Sequence, residues 1–148
     1  MQVVTLIDIT TYSVKEYERL MSQIPLLTLR GTALVDYIDK LIQKGFVYVL
    51  DDGSVLKGLI GFYANDTGTR SAYLSSLVVD ESQQGKGLGM LLFNKALEKC
   101  RERQMLSITA NVVRTNSQAI SFYSRLGFKI VGPGRDDYHH LIRMVIKD

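Results

Sequence analysis

At 148 residues the chain has the size of one ordinary domain, long enough to bury a sizeable core. Hydrophobic residues make up 46% and charged ones 22%, which excludes a disordered or fibrous chain, and eighteen basic against fifteen acidic side chains leave +3, a mild excess that suits an anionic small ligand and falls short of a nucleic-acid footprint. The one cysteine, Cys100, has no disulfide partner, and MQVVTLIDIT at the start lacks a basic segment followed by a long apolar run; a soluble, unprocessed, cytoplasmic protein without a membrane partner is expected.

Val3 to Asp8 reads as a first strand, and Ser13 is placed to cap a helix carrying Tyr17, Leu20 and Met21 on one face and ending before Pro25. A second helix over 32–44 spaces Leu34, Ile38, Leu41 and Ile42 helically and stops at Gly45. Three strand signals follow: FVYVL (46–50), LKGLIGFYA (56–64) and SAYLSSLVV (71–79). The turns DDGS and NDTGT join them as an antiparallel meander.

The third strand runs straight into QQGKGLGM (83–90). Beyond it, Leu88, Leu91, Leu92, Ala96, Leu97 and Cys100 mark the apolar face of a helix, with Asn94, Lys95, Glu98, Lys99 and Glu102 opposite. SITANVV (107–113) is the next strand. Asn116 caps a helix bearing Ala119, Ile120, Tyr123 and Leu126, which Gly127 ends, and FKIVG and HLIRMVI close the chain as strands. With no repeat, linker or low-complexity tract, 1–148 is expected to be a single α/β (α+β) domain with a mixed, mostly antiparallel sheet flanked by helices.

The glycines demand an explanation. A P-loop needs G-x-x-x-x-G-K-[ST], but counting back from Gly85-Lys86 reaches Asp80, and no Ser or Thr follows the lysine. A dinucleotide fingerprint needs G-x-G-x-x-G after the first strand of a βαβ unit; here the spacing is G-x-G-x-G after three antiparallel strands. Two readings remain: a turn whose N–H groups and helix N-terminus hold a pyrophosphate without metal, or a tight strand-to-helix turn and nothing more.

Two motifs bear on that choice. Gln84, Gly87 and Gly89 match Q/R-x-x-G-x-G/A, and Asn116, Ala119, Phe122, Tyr123, Gly127 and Phe128 match N-x-x-A-x-x-F-Y-x-x-x-G-F. Through them the chain resembles the GNAT superfamily of acyl-CoA-dependent N-acyltransferases, strongly from about Leu74 to Val131. The resemblance implies acetyl-CoA as acyl donor and a turn from Gln84 to Gly89, with Gly85, Lys86, Gly87 and Leu88 between them, that wraps the pyrophosphate. The pantetheine arm would bond backbone groups near Leu77 and Val79, and Asn116 would lie near it. Tyr123 would donate a proton to the leaving thiolate. A packed tyrosine and a plain helix cap are the alternative readings of Tyr123 and Asn116.

Where family members carry a carboxylate base, eleven residues before the Gln, this chain has Tyr73. A water relay, or the Asp136, Asp137, His139 and His140 cluster, is left for the base, although paired histidines at a strand entry are more often solvated or packed. No metal site is expected, since no ligand spacing fits, and Cys100 on an apolar helix face is expected to be buried and inert. The stretch Ser22 to Ala33 falls where relatives build the acceptor pocket, with Arg30 as a candidate partner for a substrate carboxylate. The expectation is direct acetyl transfer to a primary amine of a small molecule. Protein N-terminal or lysine acetylation and a non-catalytic acyl-CoA sensor stand as alternatives, and a homodimer is an open option.

Overall fold

The computed structural model describes residues 1–147. The elements run β1 (Val3–Thr5), α1 (Val14–Met21), α2 (Gly31–Lys44), β2 (Phe46–Asp52), β3 (Val55–Tyr63), β4 (Ser71–Val79), α3 (Leu88–Glu102), β5 (Ser107–Val113), α4 (Ser117–Leu126), β6 (Lys129–Pro133) and β7 (His139–Val145). All seven strands form one sheet in the order β1-β2-β3-β4-β5-β7-β6, antiparallel throughout except for the parallel pair β4 and β5. This is a single α/β domain, and the mixed sheet is the one expected.

Local chemistry sets most boundaries. Gly53, at φ +69°, lets β2 turn back into β3 through a two-residue loop, where a side chain would be strained. The hydroxyl of Ser13 accepts from the Glu16 N–H to start α1, and the carboxamide oxygen of Asn116 accepts from the Ala119 N–H to start α4. The strand expected over Val3–Asp8 stops at Thr5. Asp8 accepts from the Thr10 N–H and hydroxyl and winds Ile9–Thr11 into a single 3₁₀ turn, the familiar competition of an Asp side chain with extended backbone.

Each face of the sheet has its own core. On one, α1 and α2 bury Tyr17, Leu20, Met21, Leu34, Ile38 and Leu41 against Val47, Val49, Leu56, Leu59 and Val78. On the other, α3 buries Leu92, Phe93, Ala96 and Cys100 against Leu50, Ile60, Phe62 and Leu74, while Phe128, Ile142 and Met144 continue this core under α4. A leucine removed from water this completely contributes about 2 kcal/mol. The apolar face of α3 differs from expectation: Leu91 is exposed and Phe93 is buried. The buried stripe runs 92, 93, 96, 100, and at 100° per residue Leu91 falls off its edge.

One irregularity shapes the molecule. Gly61 faces Ser76 and Phe62 faces Leu74, so Ser75 is an extra residue, a bulge in β4. The parallel pairing of β4 with β5 covers only Ser71 to Leu74 against Ser107 to Ala110, whereas β5 stays paired with β7 as far as Val113. Beyond Leu74 and Ala110 the two strands part, and the sheet opens between them.

Candidate active site

A cavity of about 700 Å³ occupies that opening. Ser75 to Val79 line one side, Ala110 to Val113 the other, and the glycine turn, the N-terminal turn of α4 and the α1–α2 connection complete it. Side chains alternate across a strand, so the two faces supply different residues. Leu77, Val79, Leu88, Ala119 and Tyr123 border the α3/α4 core. Tyr73, Asn111 and His139 have the opposite parity to Leu74, Ala110 and Ile142 and sit on the α1/α2 face. The cavity therefore passes through the sheet.

At the end of β4, Asp80 donates its N–H to the Lys57 carbonyl of β3. Because successive amides point to opposite strand edges, those of Leu77 and Val79 point the other way, into the gap where β5 no longer pairs. The carbonyl of Val79 is met there only by the side chain of Gln84, whose Nε2 lies 3.4 Å away. The turn then reaches α3 through Gly85 (φ +81°) and Gly87 (φ +74°). A methyl group on either glycine would meet nothing within 4 Å, so open space and not packing surrounds this backbone. No side chain caps α3 at Gly87, which leaves the first N–H groups of the helix available to an anion.

Gln84, Gly85, Gly87, Leu88 and Gly89 all line the cavity, as do Leu77, Val79, Asn116 and Tyr123. Lys86 is not among the lining residues; its Nζ donates to the Gln83 Oε1 at 3.2 Å. Asn116 both caps α4 and lines the cavity, so the two readings of it coexist. The Tyr123 ring is held edge-on between Phe122 and Phe128, with centroids 5.4 and 5.2 Å away. Burial pushes its phenol above the usual tyrosine range. Cys100 is buried, and the apolar core pushes its thiol up to about 12, which leaves it no thiolate near neutral pH.

The opposite side is polar. Asn111 Nδ2 donates to the Tyr73 hydroxyl at 3.0 Å, and Asn111 Oδ1 accepts the Arg135 N–H at 2.8 Å. His139 is 3% exposed, with Nδ1 2.6 Å from the Asp136 carboxylate and Nε2 3.0 Å from the Arg135 guanidinium. Of the paired histidines, His139 reaches the cavity and His140 does not. Gln23, Ile24 and Pro25 from the α1–α2 connection reach it too, but Arg30 stays outside, bonded to the Leu29 carbonyl. Sequence reasoning missed Arg135, Asn111 and Gln23. Nothing in the spacing of these polar residues sets them apart, although strand parity against Ile142 would have singled out His139.

A family model described as the acetyltransferase (GNAT) family matches residues 12–128. The chain is 34% identical over 65 residues to the peptidyl-lysine N-acetyltransferase YjaB of Escherichia coli, which is 44% of this chain and 41% of that protein. It is also 34% identical over 65 residues to the L-methionine sulfoximine/L-methionine sulfone acetyltransferase of Pseudomonas aeruginosa, covering 44% and 38%. The chain thus matches less than half the length of these curated relatives. Among solved structures, a GNAT-family acetyltransferase from Staphylococcus aureus superposes with a TM-score of 0.79 at 16% identity over 99% of each chain.

Proposed function

The chain belongs to the GNAT acetyltransferase family, and we propose that it transfers an acetyl group directly from acetyl-CoA to a primary amine of a small molecule. The observation that carries this reading is the gap between β4 and β5, open to both faces and ending at the uncapped N-terminus of α3. The pyrophosphate lies against the amides from Gln84 to Gly89, with the partial positive charge of α3 behind them. The pantetheine amides bond the free backbone edge of β4 at Leu77 and Val79, in the manner of an added strand.

The chemistry follows from this placement. The neutral amine enters from the α1/α2 side and attacks the thioester carbonyl, forming the C–N bond. The amide N–H of Leu77, directed into the gap, receives the developing oxyanion. As the C–S bond breaks, Tyr123 gives its proton to the departing sulfur and is reprotonated by the proton the nitrogen sheds. Among the described residues no Asp or Glu lines the cavity, and the His139 Nε2 is engaged by Arg135, so the excess proton of the incoming ammonium goes to solvent. The small-molecule acceptor is supported by the walls on that side. Beyond β4, β5 and the start of β7 they come from two connections, α1–α2 and β6–β7, and among the described residues no further element extends them to hold a polypeptide.

The absence of a lining carboxylate is also what favours the second reading, a sensor that binds acyl-CoA without turnover. Calorimetry with CoA and acetyl-CoA, followed by thiol release over a panel of amines, separates the two. Binding with release on at least one amine is expected. Binding without release on any amine selects the sensor, and no binding removes both readings.

A further inference from the structure

The acceptor side of the cavity is lined by a held cation and, among the described residues, by no carboxylate. Arg135 is held at both ends: its N–H by Asn111 Oδ1 at 2.8 Å, and its Nη2 by His139 Nε2 at 3.0 Å. The imidazole is itself held by Asp136 at Nδ1, and with that proton on the carboxylate side Nε2 is free to accept from the guanidinium. The preceding residue locks the segment further. A methyl group on Gly134 would sit 2.6 Å from Asn111 Oδ1 and 2.7 Å from His139 Cβ, so the chain here fits only without a side chain.

An arginine presents five N–H donors in a planar fork. Among the described residues, the guanidinium of Arg135 meets only His139 and makes no salt bridge. Its remaining donors are uncommitted at a cavity that no carboxylate of the described residues lines. The other lining cation, Arg125, lies on α4, across the sheet. Such a wall offers no lining carboxylate to an acceptor that brings several ammonium groups and leaves a guanidinium fork awaiting an anion.

Building on the N-acetyltransferase reading above, we propose that the acceptor is an amine that also bears a carboxylate, an amino acid or a derivative with its carboxyl group free. Arg135 anchors that carboxylate while the amine reaches through the sheet to the thioester. His139 and Asp136 are positioning residues that aim the fork.

The test is thiol release from acetyl-CoA with the common α-amino acids, β-alanine and γ-aminobutyrate, each paired with its C-terminal amide. Spermidine, an aminoglycoside and a lysine peptide amide complete the panel. For wild type, kcat/KM for the best acid should exceed that for its amide by about 10- to 100-fold, the range for losing one partner of a charge-assisted pair at a partly exposed site. In Arg135→Gln the acid-to-amide ratio should collapse towards one, with the heat of CoA binding reporting that the variant is folded. Equal turnover of acid and amide by wild type overturns the proposal. So does an unchanged ratio in Arg135→Gln, or turnover confined to spermidine, the aminoglycoside or the peptide; in all three the transferase reading stands. CoA binding with no turnover on any amine overturns both together.

Discussion

Tyr123 is a phenol in an aromatic sleeve, and the sleeve decides its protonation. Burial raises its pKa, so the proton it would give a thiolate in the proposed reaction is still present when the pH passes the ordinary tyrosine value near 10. Tyr123→Phe removes that proton without disturbing the packing against Phe122 and Phe128. It should lower kcat by about 10²-fold, the lower range for a general acid, with the calorimetric Kd for CoA unchanged. The kcat–pH profile of the wild type should show no fall from tyrosine ionisation up to pH 9. Residue types at this site were legible where a motif or a cap fixed them, as for Tyr123, Asn116 and the glycines. Arg135 was not, and His139 could not be told from its neighbours, because the polar residues of RDDYHH (135–140) look alike until a strand's parity and a neighbouring gap decide which of them faces the cavity.

At the scale of elements, the site depends on a pin between α1 and the end of β4. Asp80 is 5% exposed and accepts from Arg19 Nη1 and Gln23 Nε2, each at 2.7 Å, and from the Ser82 hydroxyl. Gln23 Oε1 in turn accepts from the Glu81 N–H at 2.8 Å, tying the α1–α2 connection to the turn ahead of α3. Burial alone would raise the Asp80 carboxyl; the bonds from Gln23, Ser82 and Arg19 outweigh it and hold the carboxyl well below the usual range. A depressed pKa stabilises the fold above the unfolded value near 4 and loses that contribution as pH falls through the folded one. Asp80→Ala should therefore cost about 2 kcal/mol at pH 7, discounted for the exposed arginine, or about 6 °C in Tm. Thermal melts should show the difference narrowing below pH 4. The element that could not be read was the bulge. SAYLSSLVV alternates well enough to pass as one regular strand, and only the Ser75-Ser76 pair interrupts the apolar rhythm where the period slips by one residue.

For the molecule as a whole, the two cores share one sheet, and that sheet opens in its middle, where β4 and β5 meet over four paired positions. A ligand that bridges the gap binds only the folded chain. CoA at a hundred times its Kd should add about 2.7 kcal/mol and raise Tm by about 8 °C, readable in a thermal-shift titration. The sheet's composition could be expected from the meander and the closing hairpin. Its order could not, since nothing local says that β7 slips between β5 and β6. The passage left by the parted strands also has two mouths. On the proposed reading the nucleotide arrives on one flank and the amine on the other, so neither reactant stands in the other's doorway, and spent thiol and finished amide can depart in either sequence. Change at one mouth, where Arg135 and the α1–α2 connection sit, leaves the other mouth and its glycines untouched. A single scaffold of this kind can therefore be refitted for new amines while its donor stays the same.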